Sequence, residues 1–140
     1  HNKWEKNRKS ADPLFKLRLA VSRAVAASLK DNNSSKNGKS VINNLFYSIN
    51  NLKQHLEKQF ESWMTWDNYG KYSKKTWKDD DLSTWKWNID HIIPQSDLPY
   101  TSMEDDNFKK CWALENLRPL SAKLNLLDGC TRLRHKKEFK

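Results

Sequence analysis

Only two short stretches of this chain read as β-strand, which limits its sheet to a small hairpin among helices. The first is WKWNIDHII, residues 85–93. Trp85, Trp87, Ile89, His91 and Ile93 point one way, Lys86, Asn88, Asp90 and Ile92 the other, and Pro94 ends the run. The second is ENLRPLS, residues 115–121, which can form a strand despite Pro119. The chain therefore orders as two helices, strand, loop, strand, helix, an α+β class. On the first strand two titratable groups, Asp90 and His91, stand side by side among apolar residues. They are either an ion pair on a sheet edge or the metal ligand and base of a catalytic site.

The helices announce themselves by caps and spacing. Asp12-Pro13 supplies an N-cap acid and a proline at the first helical position. Leu14, Leu17, Val21, Ala24, Val25 and Leu29 follow at helical spacing, with Lys16, Arg18 and Arg23 elsewhere on the surface. The helix is expected to stop near Lys30, and DNNSSKNGKS (31–40) reads as a flexible loop. A second helix is expected from about Asn50 to Trp63, with Leu52, Leu56, Phe60 and Trp63 as its apolar stripe. His55 beside it reads as a surface or packing histidine. MTWDNYG (64–70) looks like a packed aromatic turn, and the aperiodic residues 71–84 read as an exposed loop or insertion. After Pro94, an acidic cluster (Glu104, Asp105, Asp106) precedes a short helix around NFKKCWAL. Ser121 then caps a last helix, AKLNLLDG, with Gly129 as its stop and a basic tail beyond.

A length of 140 residues suits one domain, or a small domain with a helical extension, and is enough to bury a core. Hydrophobic residues make up only 36%, but seven Trp, four Tyr and five Phe supply large apolar surfaces. The chain starts at His rather than Met, so it is expected to be a piece of a longer protein. No apolar run is long enough to cross a membrane, and no signal-peptide pattern stands at the start. The net charge of +9 is uneven, because residues 1–30 hold eight Lys and Arg against two acids. A basic arm on a nearly balanced body points to a polyanion, nucleic acid rather than membrane, although a solvated basic face reads equally well from charge alone. Cys111 and Cys130 are the only cysteines, too few for a zinc knuckle, so no structural zinc is expected. A disulfide is conceivable, but a Lys-rich chain without a secretion signal is expected inside the cell, with both thiols reduced and packed.

A phosphodiesterase needs a nucleophile activated near neutral pH, positive charge on the developing phosphorane, and help for the leaving oxygen. A histidine base with a hard divalent cation meets all three, and Mg²⁺ takes few oxygen ligands from protein. Asp90 offers one such oxygen, on the opposite side of the strand from His91. Asn125, one turn into the helix capped by Ser121, is the best candidate for another.

Taken together, DHIIP on a strand, NLRPLS 25 residues after His91 and Asn125 on a following helix resemble the HNH endonucleases, the ββα-metal or His-Me finger group. The likeness is to the phage and bacterial branch without structural zinc. It runs from about Leu45 to Gly129, through LKQHLEKQF, MTWDNYG, WNIDHIIP, FKKCW and ENLRPLSAKLN. The resemblance implies a ββα-metal finger with an N-terminal helical extension, the extension over 1–63 and the nuclease core over 64–140. It makes His91 the general base, Asp90 and Asn125 the metal ligands, and Asn116 the asparagine that ties the loop between the strands and keeps the base oriented. Arg118 and Lys123, with Lys16, Arg18 and Arg23 of the first helix, are the candidate DNA contacts. There are departures: Leu126, Leu127 and Asp128 follow the final Asn where the family often has lysines, and a Gly common before the second helix is replaced around Tyr47. Residues 71–84 are longer than usual, and His135 lies too far past Asn125 to serve as the last motif histidine.

The expected function is thus Mg²⁺- or Mn²⁺-dependent hydrolysis of duplex DNA, leaving 5′-phosphate and 3′-hydroxyl ends, by a monomer that nicks, with a dimer as the alternative. A non-catalytic nucleic-acid-binding module is the competing class, and a toxin-type nuclease a third.

Overall fold

A computed structural model describes residues 12–127. Residues 1–11 of the basic arm, Gly129, Cys130, His135 and the basic tail lie outside the described residues. The fold is α+β. Helix α1 spans Pro13–Asp31, α2 Ile49–Glu57 and α3 Asp106–Cys111. A helix α4 starts at residue 122 and is described as far as 127. Strands β1 (Trp87–His91) and β2 (Leu117–Ser121) form a two-stranded sheet. Hydrogen bonds from Ala122 N to Lys86 O (2.8 Å) and from Ile92 N to Asn116 O (2.9 Å) make it antiparallel, in a register that sets Asp90 opposite Arg118 and His91 opposite Leu117. The chain divides into two compact units, residues 12–58 with 91–117 and residues 59–90 with 118–127.

In the first unit, Asp12 caps α1 by accepting from Leu14 N (3.0 Å) and Phe15 N (3.4 Å), with Pro13 at the first helical position. Leu17, Val21, Val25 and Leu29, four residues apart, are all fully buried. They form the face that packs on α2, where Ile49, Leu52 and Leu56 are buried in turn. Each such side chain contributes about 1.5–3 kcal/mol by leaving water. A reciprocal capping box between Ser48 and Asn51 starts α2. The loop over 31–40 turns on three left-handed residues, Asn33, Asn37 and Gly38, at φ of 60°, 53° and 76°.

The second unit is built on aromatic rings. Trp87 is fully buried, with ring centroids of Phe60 at 4.9 Å, Trp66 at 5.1 Å and Tyr69 at 4.8 Å. Its indole N–H donates to Thr65 O at 2.6 Å, which removes the penalty of burying that donor. Residues 68–70 run beside β1 through Trp87 N to Asn68 O (3.1 Å) and Gly70 N to Trp87 O (2.9 Å).

Three expectations need correction here. The second helix ends at Glu57 with Lys58 as its C-cap, so Phe60 and Trp63 are not on a helical stripe. Phe60 turns to Trp87, and Trp63 packs edge-on against Trp85 at 5.3 Å. Ring contacts of these half-buried side chains outweigh two more turns of a helix that gains little alone. The strand begins at Trp87 rather than Trp85, which closes the short 3₁₀ turn Leu82–Thr84 through its N–H to Leu82 O (3.1 Å). Residues 71–84 are not simply an exposed loop. Trp77 within them is 9% exposed and stacks on Trp85 at 5.3 Å and 18°.

Candidate active site

The strand β1 is covered on both sides, because Trp87 and Asp90, which point to opposite faces, are both buried. Asp90 is 2% exposed, and its Oδ2 accepts from Arg118 Nε at 2.7 Å across the hairpin. A buried carboxylate requires such partners, since desolvation of the bare charge is costly.

Asn125 on α4 is positioned from the same strand. Ser121 Oγ accepts from Leu124 N (3.2 Å) and starts the helix, as its sequence position suggests. One turn on, Asn125 Nδ2 donates to Asn88 Oδ1 at 2.7 Å and to the main-chain oxygen of Ile89 at 3.3 Å. A main-chain carbonyl can only accept, so the amide nitrogen must face the strand and Oδ1 turns away from it. Asn88 is therefore a positioning residue that sequence reasoning passed over. Its signal was the period of two that places Asn88 and Asp90 on one face of β1.

His91 follows Asp90 directly and is half-buried. Its ring meets Trp112 edge to face at a centroid distance of 4.5 Å and 89°. Trp112 is itself held at two points. Its indole N–H donates to the Tyr100 hydroxyl at 3.2 Å, and its carbonyl accepts from the Tyr47 hydroxyl at 2.6 Å. Burial pushes the Tyr47 phenol above its ordinary pKa, so it remains a donor. Such a wall fixes the plane of an imidazole more firmly than solvent would.

Asn116 is 5% exposed and joins the segments that flank this histidine. Its Oδ1 accepts from Ile93 N (2.7 Å), while Nδ2 donates to Ile93 O (3.2 Å) and to Cys111 O (2.9 Å). The side chain thus imitates a strand partner for Ile93 where Pro94 has ended regular pairing. His55, read as a packing histidine, donates from Nε2 to Leu117 O at 2.9 Å.

The candidate DNA contacts are more committed than their charge suggests. Arg118 is engaged by Asp90, and Lys123 Nζ holds both oxygens of Asp79 at 2.7 and 2.8 Å. That hydrogen bond holds the Asp79 carboxyl below its ordinary pKa and raises the Lys123 ammonium. On α1, Arg18 and Arg23 are exposed and Lys16 is half-buried. Lys16 and Arg23 share a face, whereas Arg18 lies roughly 160° round the helix from Lys16. Among the described residues no three His, Cys, Asp or Glu side chains gather as a metal site, and no helix is long and apolar enough to cross a membrane.

No family model and no solved structure matches the chain. It is similar to an uncharacterized protein, L426, of Acanthamoeba polyphaga mimivirus, with 31% identity over 120 residues. The match covers 85% of this chain and 44% of that relative, so the chain spans less than half its length.

Proposed function

We propose that this chain is a metal-dependent endonuclease of the HNH, ββα-metal kind that hydrolyses phosphodiester bonds of duplex DNA, one strand at a time. The observation that carries the reading is the adjacency of Asp90 and His91 at the end of β1, each beside a side chain tied to its own stretch of backbone. Asp90 and His91 are consecutive, Asn116 pins the chain just beyond them, and Asn125 turns its amide oxygen away from the strand. In this reading residues 64–140 are the nuclease core, which carries every one of these side chains, and 1–63 are a basic helical extension.

The donor set suits a hard cation. Asp90 and Asn125 offer only oxygen, which fits Mg²⁺ or Mn²⁺, ions content with few protein ligands. Burial pushes the Cys111 thiol up to about 12, so it offers no thiolate to a softer metal. Bound by these oxygens, the cation would supply positive charge to the attacked phosphate and its leaving oxygen. The His91 imidazole takes a proton from the attacking water, held in plane by the Trp112 ring. As the new P–O bond forms, the bond to the 3′ oxygen breaks and that oxygen leaves as an alkoxide that takes a proton from water, which leaves a 5′-phosphate and a 3′-hydroxyl. The fitting setting is the interior of a bacterial or phage-infected cell.

A non-catalytic nucleic-acid-binding module is the second reading, and one observation favours it. A carboxylate held by a guanidinium, as Asp90 is by Arg118, also serves as a purely structural tie. Supercoiled plasmid with Mg²⁺, and again with excess chelator, separates the two. The nuclease reading expects open-circle product in the first and none in the second. DNA binding without cleavage in Mg²⁺ or Mn²⁺ overturns it in favour of the module.

A further inference from the structure

A cavity of about 350 Å³ in the unit of residues 59–90 and 118–127 is lined by Lys71, Tyr72, Asn88, Ala122, Asn125 and Leu126. Two of its walls are the amides just described, and both are oriented by main-chain carbonyls. Asn88 Nδ2 reaches Gly70 O at 3.4 Å, and Asn125 Nδ2 reaches Ile89 O at 3.3 Å. Ala122 and Leu126 supply an apolar floor. The remaining wall comes from the start of the 71–84 segment.

That wall is both rigid and cationic. The Tyr72 ring packs on Trp77 at 5.3 Å, and Trp77 stacks on Trp85, so Tyr72 is held by two successive aromatic contacts. Lys71 is exposed and, among the described residues, makes no ion pair, unlike Lys123, which is held by Asp79. The stem of Lys86 crosses Gly70 next to it, where an added Cβ would lie 3.6 Å from Lys86 Cδ. An ammonium, a phenol hydroxyl and an apolar floor together match a sugar-phosphate unit, since cations and hydroxyls contact phosphate oxygens while the sugar needs apolar surface. Resting on the endonuclease reading above, we propose that this cavity seats a backbone phosphate of the DNA beside Asn125, with Lys71 and Tyr72 as its contacts.

The test compares wild type with Lys71→Ala, Lys71→Arg, Tyr72→Phe and Lys74→Ala. Lys74 is an exposed cation of the same segment that does not line the cavity, so it controls for charge alone. Plasmid cleavage in Mg²⁺ gives kcat and KM, and DNA binding in chelator across a salt series gives the phosphate count. Lys71→Ala should raise KM roughly tenfold with kcat changed less than about threefold, and flatten the log–log salt slope by about 1. Lys71→Arg should restore most of the loss, Tyr72→Phe should raise KM by about threefold, and Lys74→Ala should change it less than about twofold. Equal losses in Lys71→Ala and Lys74→Ala, or an unchanged slope in Lys71→Ala while wild type cuts, overturn the phosphate site and leave the nuclease reading standing. Binding that depends on Lys71 in a protein that never cuts keeps the site and overturns the nuclease. No DNA binding by wild type overturns both.

Discussion

Arg118 Nε donates to Asp90 Oδ2 at 2.7 Å across the hairpin, with the carboxylate 2% exposed and the arginine side chain 38% exposed. The two ends of this pair therefore have different stakes. Without Arg118, Asp90 is left buried with less of its charge balanced, whereas without Asp90 the guanidinium still reaches water. We predict that Arg118→Ala destabilises the fold by about 1–3 kcal/mol, below the full figure for a buried pair because one partner is partly solvated. Asp90→Asn should cost less, and the double mutant should show coupling of about 0.5–3 kcal/mol in chemical denaturation. Additive single effects would mean that the contact does not hold in solution.

The His91 environment makes a kinetic prediction. An imidazole set edge-on against Trp112 is positioned by packing as well as by its own strand. His91→Ala should lower the cleavage rate by roughly 10²–10⁴ with DNA binding nearly intact, as loss of a general base does. Trp112→Leu should lower the rate less, and kcat more than KM, because it removes orientation rather than the base. Cleavage by His91→Ala at the wild-type rate would remove histidine from the chemistry.

How far the sequence could be read depended on the range of the forces involved. The start of α1 was legible because Asp12, Pro13 and a four-residue apolar repeat act within a few residues of one another. The hairpin was legible from the alternation around Trp87 and from Pro94. The end of α2 was not, because Phe60 and Trp63 leave the helix for Trp87 and Trp85, partners more than twenty residues away. Trp77 misled for the same reason, since an aperiodic segment gives no sign that one of its rings will stack on another tryptophan. Of the candidate site, Asp90, His91, Asn116 and Asn125 stood out in the resemblance and Asn88 was marked only by the alternation it shares with Asp90, while the pairing of Arg118 and Lys123 with carboxylates shows only in the folded chain. A cation's local sequence does not say which acid it will meet.

Helix α1 offers a test of DNA contact that charge counting cannot. Lys16 and Arg23 lie on one face and Arg18 on nearly the opposite one, so a single duplex backbone along α1 cannot meet all three. If α1 positions DNA, either Lys16→Ala with Arg23→Ala or Arg18→Ala alone should flatten the salt dependence of binding, by about 2 or about 1 respectively, and the other set should change it little. Equal slope changes per charge in both sets would indicate diffuse attraction without a docked face.

Cys111 is one of the buried groups that make stability fall at alkaline pH. It is fully buried, and burial raises its thiol from an ordinary value of 9.0 to about 12. In the folded chain it stays protonated across that interval, whereas in the unfolded chain it ionises as pH passes 9.0. The unfolded state therefore binds fewer protons, and stability falls as pH rises between these values, by at most about 1.4 kcal/mol per pH unit for this one group. Tyr69, pushed up to about 12 by burial, acts in the same direction. Cys111→Ala, although less stable at neutral pH, should lose stability less steeply above pH 9, and native Cys111 should resist thiol reagents until unfolding. Rapid modification of the native protein at neutral pH would contradict this burial.

The number of strands cut follows from how much of the site one chain provides. In the nuclease reading, Asp90, His91 and Asn125 of one chain would supply one base and one pair of metal-binding oxygens, hence one scissile phosphate at a time. The backbones of a duplex run antiparallel, so a second cut needs a second chain related by a two-fold axis, or release and rebinding in the other orientation. Helices α1 and α2 offer no dimer seam. Leu17, Val21, Val25 and Leu29 of α1 and Ile49, Leu52 and Leu56 of α2 are 0–3% exposed, so their apolar stripes are already buried within the chain's own core. A monomer that nicks is the expected outcome. Supercoiled plasmid should pass first to open circle and only later to linear form, as independent nicks come to coincide. The rate of nicking should rise in proportion to protein concentration. Linear product from the start at low protein, with a rate rising as the square of concentration, would make the active species a dimer and place the two-fold axis on a surface other than these helix faces.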